Sequence, residues 1–200
     1  MKTLQINPKN PAKTRIENAV DILKKGGLLM YPTDTCYGLG VDVSNKYAIK
    51  KIYQIKRKPS NKPLSVIVPD IKTIKNLAII RPFHEQYIQK YLPGAITLIF
   101  LTLDNTIFPF SSIGIRMPNY RITTMISNEF NFPYITTSAN VGNYPPAYEV
   151  KDFLSQLSTN DIKPDLILDA GKLPKNPPST IIDLTSNKPK ILRQGNIKIN

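Results

Sequence analysis

The chain has 200 residues, 41% of them hydrophobic and 20% charged, with one Cys and one His. These counts exclude an intramolecular disulfide, a Cys-based zinc cage and a two-histidine metal site, and they leave enough apolar residues to bury a core. Lys and Arg total 27 against 14 Asp and Glu, a net charge of +13, which favours anionic partners such as nucleotides, RNA or DNA.

No apolar run reaches the length of a membrane span, and the opening Met1-Lys-Thr-Leu-Gln-Ile-Asn-Pro8 lacks the apolar stretch of a secretory leader. A soluble, cytoplasmic chain with no membrane association, folding as one domain over residues 1–200, is expected. The basic residues are 21 Lys and only 6 Arg in a chain rich in Lys, Asn and Ile. Such a bias halves the weight of net charge as a sign of nucleic acid and raises the weight of each Arg and of where the charge sits.

In chain order, Thr14-Arg-Ile-Glu17 reads as a capping box, and Ile16, Ala19, Val20 and Leu23 recur at helical spacing up to Gly26-Gly27. Leu28–Tyr31 reads as a strand, then a polar loop Thr33–Gly38, then a second strand Leu39–Val43. Ser44 is the expected cap of a helix reaching Arg57, with Tyr47 or Ala48, Ile52 and Ile55 on its apolar face. Between Ser44 and Pro69 stand seven cations and no acid: Lys46, Lys50, Lys51, Lys56, Arg57, Lys58 and Lys62. A solvated face normally mixes signs, so a one-sign run asks for an anionic partner.

Leu64–Val68 reads as a buried strand, and Asp70–Ala78 and Pro82–Tyr91 as helices. Ala95–Leu103 has the β-branched content of a long strand, Ile113–Met117 of a shorter one, and Tyr120–Phe130 suits a helix. Pro133–Thr137 reads as a strand feeding the turn Thr137-Ser-Ala-Asn-Val-Gly142. A helix at Glu149–Leu157 and strands at Leu166–Leu168, Thr180–Leu184 and Ile191–Arg193 complete an α/β chain with a twisted, mixed parallel and antiparallel sheet flanked by helices.

The chain has neither a Walker-A sequence nor G-x-G-x-x-G. Chemistry must therefore come from polar stretches at strand ends, where open α/β sheets place ligands. Five stand out. Tyr31-Pro-Thr-Asp-Thr-Cys-Tyr-Gly-Leu-Gly40 packs hydroxyls, a carboxylate and glycines into one loop. Ile55-Lys-Arg-Lys-Pro59 offers cations suited either to phosphate oxygens or to a helix C-terminus. Ile113-Gly-Ile-Arg-Met-Pro118 carries an Arg in an apolar strand, costly unless a carboxylate from the protein or a ligand pairs with it. The last two are Ile135-Thr-Thr-Ser-Ala-Asn140, and Pro178-Ser-Thr-Ile-Ile-Asp183 with Ile191-Leu-Arg-Gln-Gly195.

In order and spacing these five stretches resemble the YrdC/Sua5 family, in its short form that lacks the extra C-terminal domain of Sua5. The resemblance implies a YrdC-like domain with a basic concave ligand cleft. It also implies synthesis of threonylcarbamoyl-AMP from L-threonine, bicarbonate or CO2, and ATP. Mg2+ would arrive with the nucleotide, with no tightly bound cofactor and no metal held by protein side chains. The product would pass to a tRNA threonylcarbamoyl-transfer complex acting on ANN-decoding tRNAs.

Carried over by position, the resemblance assigns Lys56, Arg57, Lys58, Ser138, Asn140 and Arg193 to ATP, and Thr33, Thr35, Arg116, Thr136 and Ser179 to threonine. Lys56, Ser138 and Asn140 are the candidates nearest the reaction. The chain departs from the family's Lys-x-Arg pair by placing Lys58 second, with the Arg displaced to Arg57, and it has Ile67 where longer members often carry His. The altered pair, with the opening Ile6-Asn-Pro-Lys-Asn-Pro11, is similar to the YciO-type branch; the intact Thr-Ser-Ala-Asn-Val-Gly turn is not. A YciO-type protein, or an RNA-binding module gripping tRNA or duplex RNA, is the alternative.

Cys36 is expected to be packing, and His84 an exposed or satisfied histidine, rather than a nucleophile and base. Tyr31, Tyr47 and Tyr53 have core-like spacing, and Asp104, Asp152 and Asp161 read as loop or cap acids.

Overall fold

The computed structural model describes residues 1–59, 64–103, 110–159 and 161–199, so Lys62 and Asp104 lie outside the described residues. The strands are β1 (Lys2–Gln5), β2 (Leu29–Pro32), β3 (Tyr37–Asp42), β4 (Ser65–Ile67), β5 (Ile96–Leu101), β6 (Ser112–Arg116), β7 (Tyr134–Ser138), β8 (Leu166–Asp169), β9 (Thr180–Asp183) and β10 (Lys190–Arg193). The helices are α1 (Lys13–Lys24), α2 (Lys46–Lys56), α3 (Ile71–Leu77), α4 (Pro82–Tyr91), α5 (Arg121–Phe130) and α6 (Val150–Leu154). No helix among the described residues is long and apolar enough to cross a membrane.

The strands form one mixed sheet in the order β1-β8-β2-β3-β7-β4-β6-β5-β9-β10. The expected mixture is present: β1 and β8, β8 and β2, β4 and β6, and β5 and β9 are parallel, and the remaining neighbours antiparallel.

The two faces of this sheet explain where a ligand can go. Residues alternate between faces along a strand. Leu28, Met30, Leu39, Val41, Val66, Leu98, Ile113 and Ile115 point to one face, where α2, α3, α4 and α6 cover them with Ile52, Ile74, Ile88 and Phe153. On the opposite face α1 and α5 lay Ile16, Val20, Leu23, Ile122 and Ile126 over Leu29, Tyr31, Ile67 and Tyr134. That cover stops partway across. Beyond it, one row of paired residues runs Gly40, Thr136, Ser65 and Gly114 through β3, β7, β4 and β6. Small and hydroxyl side chains in neighbouring strands leave a hollow where a helix would need large apolar ones. Gly40 is small for a further reason: a Cβ there would come within 2.9 Å of the Tyr31 ring.

Several local expectations are corrected. Thr14 does not begin a capping box; α1 is capped by Ala12, without a side-chain hydrogen bond, so Thr14 and Glu17 lie inside the helix. Asn45 rather than Ser44 caps α2, its side chain accepting from the Ala48 N–H. Ser44 instead bonds Asp42. Tyr47 is 85% exposed and Ala48 takes the core position. Strand β1 was not foreseen; its largely exposed residues are held by parallel pairing with β8.

Candidate active site

The hollow is a cavity of about 380 Å3 lined by Thr33, Thr35, Lys56, Lys58, Arg116, Thr136, Ser138, Asn140, Ser179 and Arg193. Residues from five separate stretches of sequence therefore meet, in a volume suited to a small polar ligand. Arg57 is the expected site residue that the structure leaves out. It closes α2 in a left-handed conformation (φ 46°), and its guanidinium lies 3.5 Å from the Asp161 carboxylate, beside Gly142. Lys58, not Arg57, faces the cavity.

At one end, the last turn of α2 and the turn after β7 are tied together by the Gly142 N–H donating to the Ile55 carbonyl at 3.0 Å. This contact brings Lys56 to Ser138 and Asn140. Lys56 is buried, 3% exposed. Its ammonium donates to the Ser138 carbonyl at 3.0 Å, to Ser138 Oγ at 3.4 Å and to Asn140 Oδ1. Ser138 Oγ donates to Asn140 Oδ1 at 2.6 Å, and Asn140 Nδ2 donates to the Gly142 and Tyr144 carbonyls at 3.0 and 2.7 Å. The amide is thus locked with its oxygen toward the lysine. Burial, then the neighbouring charge of Lys58, brings the Lys56 pKa down to about 8. This cation is oriented by neutral oxygens, and among the described residues no carboxylate pairs with it.

At the other end, Arg116 closes β6 and its Nη2 donates to Asp34 Oδ1 at 2.8 Å, with both side chains 11% exposed. The carboxylate that an Arg in an apolar strand requires is thus supplied by the chain itself, from the Thr33–Cys36 turn. Thr33 Oγ1 donates to the Cys36 carbonyl at 2.7 Å and accepts from the Thr35 N–H at 3.2 Å, which fixes that turn.

Arg193, which the resemblance assigns to ATP, reaches the Arg116 end from edge strand β10. A register shift between Ile191 and Arg193 re-aims the chain there. The Arg193 guanidinium then donates to the Ser179 carbonyl at 2.9 Å and Ser179 Oγ at 3.0 Å. Burial and then the like charge of Arg116 lower the Arg193 pKa. Thr136 is held by the buried Tyr31, whose hydroxyl shares a hydrogen bond with Thr136 Oγ1 at 2.7 Å.

Sequence reasoning missed Ser65 and Thr97, which also line the cavity. The signal available was a single hydroxyl residue in each of two otherwise apolar strands, Ser65 in β4 and Thr97 in β5. Ile67, where a histidine contact was expected to be missing, is buried under α1 and α5 and does not line the cavity. Cys36 lines the wall, but burial pushes its thiol up, away from the reactive thiolate. His84 is buried and satisfied, accepting from the Arg81 N–H and bonded to the Leu184 carbonyl. Of the basic run, Lys46 and Lys50 are exposed on α2, Lys51 lies 3.7 Å from Asp165, and none of the three lines the cavity.

The family model described as Telomere recombination, Sua5–YciO–YrdC, matches residues 21–195. A protein of Methanocaldococcus jannaschii provisionally named threonylcarbamoyl-AMP synthase is 33% identical over 189 residues, 92% of this chain and 88% of its own length. Among solved structures, P. abyssi Sua5 complexed with L-threonine has a TM-score of 0.86 at 25% identity, over 98% of this chain. The chain spans 58% of that structure's length. E. coli YciO has the same TM-score and identity, over 98% of this chain and 97% of its own.

Proposed function

Because the chain belongs to the Sua5–YciO–YrdC family, we propose that it is a threonylcarbamoyl-AMP synthase, a nucleotidyltransferase acting on L-threonine, bicarbonate and ATP. The observation that carries this reading is one cavity with two differently built cationic ends. Lys56 and Lys58 stand with Ser138 and Asn140 at one; Arg116 and Arg193 stand with Thr33 and Ser179 at the other.

Threonine binds with its carboxylate on Arg116, supported by Thr33, Thr35, Thr136 and Ser179. ATP lays its phosphates along Lys56 and Lys58. Threonine's amine captures bicarbonate or CO2 as a carbamate; with bicarbonate, water is lost as the N–C bond forms. A carbamate oxygen then attacks the α-phosphorus, the bond between the α-phosphorus and its bridging oxygen breaks, and pyrophosphate leaves. Such transfer needs aligned reactants and positive charge on the phosphates more than a protein nucleophile. Lys56 and Lys58 supply that charge, and the Asn140 amide fixes where the Lys56 charge sits.

Among the described residues no three His, Cys, Asp or Glu side chains gather as a metal cage. Magnesium is assigned here to the ATP substrate, held by phosphate oxygens and water. In this reading the protein works in the cytoplasm and passes its product to the complex that modifies ANN-decoding tRNAs. The test is pyrophosphate release from ATP with bicarbonate, adding each amino acid in turn. Release that requires both threonine and bicarbonate is expected. A folded protein that releases none would overturn the reading in favour of a YciO-type or RNA-binding role.

A further inference from the structure

Thr97 is a buried hydroxyl in a strand whose other residues, Ile96, Leu98, Ile99, Phe100 and Leu101, are all apolar. Valine would fill the same space and suit the strand at least as well, because a buried hydroxyl must find a partner or lose its solvation uncompensated. The partner is Ser179 Oγ, 3.0 Å away. Ser179 immediately precedes β9, which runs parallel beside β5.

Ser179 in turn holds Arg193, its carbonyl accepting from Nε at 2.9 Å and its Oγ from Nη2 at 3.0 Å. The guanidinium thus rests on one residue, and that residue rests on Thr97. Little else fixes it among the described residues. All four residues of β10 are exposed, and the strand pairs with β9 alone. No carboxylate there forms an ion pair with Arg193, and the like charge of Arg116 acts against it. The protons settle how the three groups share their bonds. Thr97 Oγ1 has no other hydrogen-bond partner among the described residues, so its proton is satisfied only if Thr97 donates. Ser179 Oγ then accepts from both Thr97 and Arg193, which fills its lone pairs. Its own proton and the Arg193 donors not bonded to Ser179 remain for a ligand, and both residues line the cavity.

We propose that Thr97 is a positioning residue: through Ser179 it holds Arg193 where the remaining donors of the guanidinium take an anionic oxygen of the ligand, from a carboxylate or a phosphate. A cation on an exposed edge strand, repelled by a second cation, would otherwise spread over many rotamers, and ordering it would be charged against ligand binding. The hydroxyl relay meets that cost when the protein folds. The ligand half of this inference rests on the threonine and ATP reading; the positioning half does not.

The test compares Thr97→Val, which keeps the shape and removes the hydroxyl, with Thr97→Ser, which keeps the hydroxyl and removes the methyl. In the ligand-free protein, hydrogen exchange at Arg193 Nε–H is followed by NMR, the signal being assigned by its loss in Arg193→Ala. Exchange is expected to quicken about tenfold in Thr97→Val and to stay within about twofold of wild type in Thr97→Ser. In separate calorimetric titrations, Thr97→Val is expected to weaken threonine binding by about fivefold to tenfold and ATP binding by less than about threefold, with Thr97→Ser near wild type for both. In an Arg193→Ala background, Thr97→Val should cost less than about twofold further, because the group it acts through is gone. A role in packing alone would make Thr97→Ser the more damaging variant and would leave the cost of Thr97→Val independent of Arg193.

A loss that falls on ATP in place of threonine supports the role of Thr97 and identifies the oxygen as a phosphate oxygen. Affinities that move for neither ligand overturn the proposal and leave the threonine reading standing. A loss that persists without Arg193 also overturns it, since Thr97 would then touch the ligand itself. Faster exchange in Thr97→Val, in a protein whose wild type binds neither ligand, upholds the positioning of Arg193 and overturns the threonine and ATP reading.

Discussion

Lys56 and Arg116 are both buried cations in the wall of one cavity, yet they are neutralised in opposite ways. Lys56 is surrounded by a carbonyl, a hydroxyl and an amide oxygen, all neutral. Arg116 is held by the Asp34 carboxylate. A cation solvated by dipoles keeps its whole charge for whatever enters, at the cost of desolvation that shows in its lowered pKa. A cation already paired with an anion offers hydrogen-bond geometry and little net charge. The first suits a polyanion such as a triphosphate. The second suits a ligand that is neutral overall, such as an amino acid. The two cations therefore differ in how much charge each offers a ligand, while Arg193, bonded to the Ser179 carbonyl and hydroxyl, adds a charge of its own at the Arg116 end.

The largest way to break this comparison is Arg116→Ala. We expect threonine affinity to fall by about a hundredfold or more, because truncating one partner of a buried charged pair costs about 2–5 kcal/mol, most of it from the charge left behind. ATP affinity should stay within about threefold. Titration of each ligand separately checks this, and an equal loss of both would dissolve the distinction between the ends.

Much of that distinction was legible in the sequence, and the illegible parts have physical causes. The strands that frame the cavity announce themselves as β-branched runs, and the polar turns at their ends mark the site because backbone there is not committed to the ladder. Arg116 is conspicuous as a charge in an apolar strand. Its partner is not: Asp34 lies 82 positions away in sequence, and only the fold decides that the needed carboxylate is internal. Strand β1 is illegible because its exposed residues have no apolar alternation; pairing with β8 makes it a strand. The cap of α2 was misplaced by one residue because Ser44 and Asn45 are both good caps, and Asp42 engages Ser44. The basic run read as one feature, yet helical geometry divides it, sending Lys46 and Lys50 outward and Lys56 into the cavity wall.

A smaller effect sharpens the Lys56 side through pH. The folded-state pKa of about 8 lies below the ordinary 10.5, so between those values the folded protein binds fewer protons than the unfolded chain. Burying this cation therefore costs stability in full below pH 8, and the cost fades as pH rises through that window. Nucleotide binding has the opposite sign. Phosphate oxygens favour the charged lysine, so above about pH 8 the free protein sheds a proton that the complex retains. ATP affinity should fall with pH above about 8, approaching tenfold per unit, while threonine affinity should be much less sensitive over pH 8–9. Lys56→Met should bind ATP about tenfold or more weakly at pH 7 and lose the slope. A slope that survives in Lys56→Met would assign the titration to another group.

The smallest expected effect separates Arg57 from Lys58. The family pair that this chain resembles has Arg second, and here an Arg stands one residue early. If the guanidinium did the work from its shifted place, Arg57→Ala would be the damaging change. The left-handed turn at Arg57 directs it instead toward Asp161, with more than half of its side chain exposed. An exposed ion pair of that kind contributes about 0–1 kcal/mol. Lys58 lines the cavity beside Lys56 and helps lower its pKa, so its charge is felt where the phosphates would lie. We therefore expect Arg57→Ala to change ATP affinity by less than about threefold, and Lys58→Ala to weaken it by roughly fivefold to tenfold. Lys58→Arg should match or exceed the wild type, since a fork can take two phosphate oxygens where an ammonium acts as a point charge. ATP titrations of the three variants at one salt concentration decide it. A larger loss from Arg57→Ala than from Lys58→Ala would mean that the helix end rearranges around the nucleotide, and that the triphosphate end, unlike the Asp34–Arg116 end with its anchored turn, is not preformed.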